Sequence, residues 1–303
     1  MKNIIITGAS GYIGVALIKR YLQGGATVYG VGALWNDEQI ESLSALGDFK
    51  PFTAEFRDYD KLDDLIDGND FDHFYHLAWQ GTSSLGDGFN DYNTQIRNIT
   101  AACDALTSIV RLGCKKCSFI SSYQEADTII HDDYNFNPVY YGITKRCANE
   151  MFKATAYKLG IPCVNLLFPN IYGVNDKPDV AIAFFIKCLI QNKELNLISG
   201  NYPDDWMPVN DLIDGIIAAS KSSLEYGSYY VGHRVITTFK EKLVEMKRIL
   251  NSTSELNWGK YPEKHYIDYS QLDLNALYLD TGWEAKTSFE ESIIETAEWV
   301  KTI

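Results

Sequence analysis

Tyr141 and Lys145 stand four residues apart in a segment whose pattern predicts a helix, so both side chains lie on one face. A phenol titrates near ~10 and is a poor base at neutral pH. An ammonium beside it, with a positively charged nicotinamide ring, favours the phenolate and lowers that value. Tyr141 can then give or take the proton that accompanies hydride movement at carbon. Ser122 ends a predicted strand, Phe119-Ile120-Ser121-Ser122, and can hydrogen-bond a substrate oxygen where charge develops. With 20 tyrosines in the chain, about one Tyr-x-x-x-Lys is expected by accident. The pair therefore counts through its context: Pro138 precedes it, and the carboxyl end of a strand is where ligands sit in an open α/β sheet.

A second constellation opens the chain. Thr7-Gly8-Ala9-Ser10-Gly11-Tyr12-Ile13-Gly14 falls between an initial strand and an amphipathic helix. Gly8 suits the tight turn, Gly11 the close approach of a pyrophosphate, and Gly14 tight helix–strand packing. Free amides and the positive helix end can then hold phosphates without a basic side chain. The end of the second strand normally selects the cofactor, an acid for the ribose of NAD or an Arg for the phosphate of NADP. Here Gly32 and the three residues after it carry neither charge, so NAD and NADP both stay open.

The elements that must position these residues are legible as alternating runs. Strands are predicted over 3–7, 27–31, 49–53, 72–77, 116–121 and 162–167, and helices over 11–23, 37–45, 59–66, 91–112 and 139–159. Strands alternating with helices form βαβ units around a parallel sheet, with right-handed crossovers and helices on both faces. The fold class is α/β, a Rossmann-like doubly wound parallel sheet with a smaller C-terminal α/β substrate-binding lobe. Residues 1–166 form the dinucleotide-binding domain, with later segments returning to it, and 167–303 mainly the lobe. There the rhythm loosens: 170–180 and 199–208 read as loops, 182–191, 211–221, 238–251 and 288–302 as helices, and 194–198 and 228–231 as strands.

Composition narrows the function classes. A chain of 303 residues with 46% hydrophobic and 22% charged residues is ordinary globular protein. The 27 basic and 40 acidic residues give a net charge of −13, and no basic stripe interrupts it, which argues against nucleic acid. No run reaches the ~20 apolar residues of a membrane span. The N-terminus lacks the pattern of a signal peptide, and six scattered cysteines suit a reducing compartment, so a cytoplasmic location is expected.

Taken in order, the glycine turn, His76-Leu77-Ala78, Ile120-Ser121-Ser122, Tyr141-Gly142-Ile143-Thr144-Lys145, Asn170-Ile171-Tyr172-Gly173 and Asp205-Trp206-Met207-Pro208-Val209-Asn210-Asp211 resemble the extended short-chain dehydrogenases/reductases. Within these, the likeness is to the NAD-dependent epimerase/dehydratase group acting mainly on nucleotide sugars. The resemblance covers nearly the whole chain, including the late Gly282-Trp283. It implies that Gly8, Ser10, Gly11, Tyr12, Ile13 and Gly14 hold the pyrophosphate and that Glu55 and Phe56 lie near the adenine. Leu77, Ala78 and Trp79 then line the nicotinamide-side ribose, supported by Asn93. Tyr141 becomes the acid/base, Lys145 binds the ribose and tunes it, and Ser122 orients the substrate oxygen. Asn170 faces the nucleotide diphosphate and Tyr123 adjoins the substrate. A homodimer through the helices 91–112 and 139–159 is implied as well.

Several departures shape the expected activity. Dehydratases of the family carry an Asp-Glu pair just after the catalytic hydroxyl, where this chain has Tyr123 and Gln124. Two family arginines are replaced by Leu167 and Asp204, leaving Lys177, Lys187 and Arg234 as substitute cations for the substrate. The texture from Lys187 to Asp211 is similar to the CDP-abequose and CDP-paratose synthases, which reduce a 4-keto-6-deoxy sugar on a nucleotide. A 4-keto reductase is the expected activity. The alternatives are a 4-epimerase with bound NAD and a catalytically silent dinucleotide sensor.

Other features read more plainly. Cys114-Lys115-Lys116-Cys117 lacks the further ligands of a zinc site and reads as packing. His76 reads as a satisfied buried histidine, Asp204-Asp205 as a turn or capping pair, and Asp63, Asp64 and Asp67 as a solvated face. His233 reads equally as a substrate contact or an exposed loop residue. The aromatics Tyr134, Phe136, Tyr140 and Tyr141 read equally as sugar-site lining or as loop packing.

Overall fold

The computed structural model describes residues 2–82, 87–126, 139–176, 180–261 and 267–303. Lys177, Tyr134, Phe136 and Pro138 lie outside them. The chain runs β1 (Asn3–Thr7), α1 (Tyr12–Gln23), β2 (Thr27–Gly32), α2 (Asp37–Ser44), β3 (Phe49–Thr53), α3 (Leu62–Leu65), β4 (His73–His76), α4 (Tyr92–Val110), β5 (Cys117–Ser122), α5 (Val139–Leu159) and β6 (Cys163–Phe168). It continues through β7 (Asn170–Tyr172), α6 (Ala181–Ile190), β8 (Leu195–Asn196), β9 (Trp206–Pro208), α7 (Val209–Ser220) and β10 (Tyr226–Tyr230). It ends with α8 (Phe239–Ile249), β11 (Leu256–Asn257), α9 (Ala276–Thr281) and α10 (Phe289–Val300).

Seven strands form one parallel sheet in the order β10-β6-β5-β4-β1-β2-β3. This is the doubly wound order, which reverses direction at β1 and leaves a crevice outside the carboxyl ends of β1 and β4. The strands are apolar on both faces because both are covered. Ile4 and Ile6 point into a core shared with Leu17 and Ile18 of α1 and Leu212 and Ile216 of α7. Ile5, between them, points the other way, with Phe74, Phe119, Leu106 and Phe152 under α4 and α5.

The later part departs from the loops expected of it. Asn170–Tyr172 and Trp206–Pro208, expected as loop, pair in parallel, and the strand expected over 194–198 is Leu195–Asn196, paired with Leu256–Asn257. Segments this short carry no period of their own, and only their partners, some 35 to 60 residues away, make them strands. Around them α6, α8 and α10 bury Ile186, Leu243, Ile293 and Trp206 in a core separate from the sheet's. The expected helix over 59–66 is instead a tighter turn, Phe56–Lys61, followed by α3. On it Asp63 is no free surface acid: Arg111 grips both its oxygens at 2.6 Å and Ser108 adds a hydrogen bond. Among the described residues no helix is long and apolar enough to cross a membrane.

Candidate active site

The glycine turn has the shape its spacing predicts. Gly8 lies at φ +70°, and a Cβ there would stand 2.6 Å from the Ala78 backbone nitrogen. A Cβ on Gly14 would stand 2.4 Å from the Gly8 carbonyl oxygen, so α1 rides directly on the turn. Gly11 occupies the N-cap of α1 and no side chain caps that end. The first-turn amides, those of Tyr12, Ile13 and Gly14, keep their N–H groups for an anion. These observations fit a bound dinucleotide pyrophosphate. The Tyr12 hydroxyl is buried toward Gly173 and has no hydrogen-bond partner among the described residues, so its side chain belongs to packing and its backbone to the turn.

At the end of β2, Gly32 accommodates Ser10 on one side and the Trp35 ring on the other. The Trp35 indole donates to the Phe52 carbonyl at 2.9 Å and its ring meets Phe49 edge-on. A neutral aromatic therefore stands where other such turns place a charge. Glu55 is exposed and committed to its own turn, pairing with Arg57 at 3.1 Å and sharing a capping box with Asp58. Phe56 packs on Tyr59.

The three expected catalytic side chains converge at the carboxyl end of β5. Ser122 closes that strand and Tyr141 and Lys145 face it from α5, one helical turn apart. The Tyr141 ring is stacked on Phe89 at 5.2 Å and met edge-on by Trp79 at 6.2 Å. Burial pushes its phenol up to about 12, with a hydrogen bond to Ser122 pulling the other way, so without ligand it stays protonated. Lys145 is buried, donates to the Ile120 carbonyl at 2.9 Å and lies 3.9 Å from the centre of the Trp79 ring. Burial lowers it to about 7, and Glu125 opposes the fall.

The support expected of Asn93 falls elsewhere. Asn93 is exposed on the first turn of α4, where its backbone N–H donates to the capping Asp91. The buried amides are Gln95 and Asn98. Gln95 accepts from the Trp79 indole at 3.0 Å and from Thr144 of α5 at 3.2 Å, and it donates to the carbonyls of Gly81 and Gly88 at 2.9 Å. Asn98 clamps Gln80 through both its amide and its carbonyl. Burial on the inward face of α4 is the signal that separates them from Asn93, and the α4 pattern alone does not say which polar residue points in. His76 is buried as expected but only half satisfied: its Nδ1 meets the Thr7 hydroxyl at 2.8 Å, its Nε2 has no hydrogen-bond partner among the described residues, and burial lowers its pKa to about 3.

On the lobe side Asp204 and Asp205 are buried, not a turn or cap. Asp204 accepts from Asn170 at 3.0 Å and from the Trp206 indole at 2.7 Å, and burial raises it to about 7. Asp205 accepts from His233 Nδ1 and the Tyr230 hydroxyl, both at 2.7 Å. Burial works to raise its pKa, but the bonds and charge of His233 and the bond from Tyr230 win and hold it below the usual carboxylate value. Asn170 and His233 are thus engaged with this pair. Tyr123 packs with Leu167, Tyr230 and Tyr269 in one buried cluster. Arg234 bonds to Asn275 at 2.9 Å, reaches Glu284 at 3.5 Å and lies over the Tyr278 ring, so it is tied to the C-terminal segment. Lys187 is exposed on α6. Cys114 and Cys117 are buried and the Cys114 thiol donates to the Lys116 carbonyl, as packing demands.

Three comparisons fit this geometry. The sequence model of the NAD dependent epimerase/dehydratase family matches residues 4–232. A UDP-glucuronate 4-epimerase of Thermodesulfobacterium geofontis is 23% identical, covering 99% of this chain and 97% of that protein. The fold is shared with the UDP-glucose 4-epimerase of Thermotoga maritima, at a TM-score of 0.79 and 22% identity, with 99% of both chains covered. It is shared equally with a dTDP-glucose 4,6-dehydratase of Bacillus anthracis, at 0.79 and 19%, covering 100% and 97%.

Proposed function

The chain belongs to the NAD-dependent epimerase/dehydratase family, and from that premise we propose that it reduces a 4-keto sugar carried on a nucleotide. The observation that carries the reading is Ser122, Tyr141 and Lys145 gathered at the end of β5, beside an uncapped phosphate turn. The glycine turn would hold a nicotinamide dinucleotide, which when bound would supply or take the hydride. Ser122 orients the reacting oxygen and Tyr141 gives it a proton as charge develops there. Tyr123 and Gln124 offer no carboxylate for removing water, and Tyr123 is buried among other tyrosines, which weighs against dehydration.

A 4-epimerase is the second reading, favoured by similarity to proteins named as 4-epimerases. It uses the same three side chains in both directions. The separating experiment offers CDP-, dTDP-, UDP- and GDP-linked 4-keto-6-deoxy sugars with NADH and with NADPH, and then the parent sugars by NMR. Stoichiometric cofactor oxidation identifies the reductase and its cofactor. Inversion of a parent sugar without net oxidation identifies the epimerase. Neither outcome, with tight dinucleotide binding, would leave the sensor.

We also infer a homodimer through α4 and α5, which pack on each other and expose Ile96 and Met151 at 52% and 49%. Light scattering should give a dimer for the wild type and a monomer for the Ile96→Glu, Met151→Glu double variant. A monomeric wild type would end this reading.

A further inference from the structure

Glu125 plays no part in the chemistry so far, yet it is a buried carboxylate, only 8% exposed, in the turn that follows β5. Ser121 donates to it, and the Asn149 amide donates to both its oxygens at 3.0 and 3.1 Å. Asn149 lies one helical turn beyond Lys145 on the same face of α5. Its own carbonyl is in turn held by Asn165 of β6 at 2.6 Å. A carboxylate buried this deeply costs several kcal/mol unless it is hydrogen-bonded and compensated. The hydrogen bonds are in place, and among the described residues Lys145, one turn before Asn149 on α5, is a cation whose charge acts on it.

We propose that Glu125 is a positioning residue, the counter-charge that keeps Lys145 an ammonium behind Tyr141. This deepens the reading of Tyr141 and Lys145 as the catalytic pair and rests on it. The surroundings of Lys145 make the need concrete. Its neighbours are the Trp79 and Phe119 rings, the Tyr141 phenol, the Ile120 carbonyl and His76, which burial keeps neutral. Glu125 itself feels Glu150 as a like charge. Removing its charge while keeping its shape should let burial drive Lys145 to the neutral amine, which withdraws support from the Tyr141 phenolate.

The test is an NMR titration of protein carrying 13C at the lysine Cε, with the Lys145 signal assigned by its absence in Lys145→Met. Glu125→Gln keeps the size and one acceptor oxygen while removing the charge, and Glu125→Asp keeps the charge and both acceptors, so a purely structural Glu125 predicts an unchanged Lys145 midpoint in Glu125→Gln. The proposal expects that midpoint to fall by on the order of one pH unit, with Glu125→Asp staying near the wild type. An unchanged midpoint in Glu125→Gln overturns it. Should Glu125→Gln not fold, the coupling is read in reverse. Lys145→Met should then show an infrared band of a protonated carboxyl at neutral pH that Lys145→Arg lacks, and no such band overturns the proposal. Neither readout needs a substrate, so this idea and the assignment of the activity can fail separately.

Discussion

Replacement of Tyr141 by phenylalanine is expected to lower turnover by about 10²–10⁴-fold, the usual worth of a positioned proton donor, while the fold and dinucleotide binding persist. The ring is what Phe89 and Trp79 hold, and phenylalanine keeps it. Only the hydroxyl leaves, and with it the hydrogen bond to Ser122. One neutral hydrogen bond is worth about 0.5–1.5 kcal/mol, so the melting temperature should move by only a few degrees. Single-turnover cofactor oxidation, with NADH affinity measured separately by fluorescence, distinguishes the two effects. Turnover within tenfold of the wild type would show that the proton comes from elsewhere and would remove Tyr141 from the mechanism. Loss of NADH affinity in step with turnover would make the residue a binding one.

Gly8→Ala is expected to damage both stability and dinucleotide binding, and a second glycine shows why. Gly8 and Gly25 sit at φ +70° and +76°, so any side chain carries the left-handed penalty of about 1–2 kcal/mol at either. At Gly25 an added Cβ meets nothing within 4 Å. At Gly8 it would meet Ala78 N at 2.6 Å, Ala78 Cα at 2.8 Å and Leu77 C at 2.8 Å, all backbone. Backbone of a buried strand end cannot rotate aside, so overpacking adds about 1–3 kcal/mol and the turn must open. Denaturant unfolding should therefore cost Gly8→Ala clearly more than Gly25→Ala, with NADH binding weakened only in the former. Equal losses in the two variants, or wild-type NADH binding by Gly8→Ala, would show that close approach of the turn to Ala78 is unimportant.

Much of the frame follows from local pattern. Apolar runs five to six residues long, each followed by an amphipathic segment, imply parallel strands with crossover helices, and the right-handedness of those crossovers gives the sheet its order. The phosphate turn is legible because its parts are contiguous: strand, glycines and helix meet within twelve residues, and chain geometry alone brings them together. Tyr141 and Lys145 are legible for the same reason, since a helix fixes what lies four residues apart. Ser122 belongs with them because it ends a strand whose place in the sheet was already implied.

Tertiary structure decided whatever depended on which way a polar residue faces. Asn93, Gln95 and Asn98 are all amides near one end of one helix, and burial by the β4–α4 connection and α5 selects the latter two. Asp204 and Asp205 read as a surface turn until β7 pairs with β9 and encloses them. Arg234 offered a charge for a substrate, but Asn275, Glu284 and Tyr278, some 40 to 50 residues on, take it up. Glu125 carries no motif, and only the packing of β5 against α5 sets its carboxylate against Asn149, one turn beyond Lys145. The sequence by itself determined the α/β frame, the glycine turn and the candidate reacting side chains, because handedness and helical period act over neighbouring residues. The electrostatics around those side chains were decided by the tertiary structure, because burial and charge pairing act across space between segments far apart in the chain.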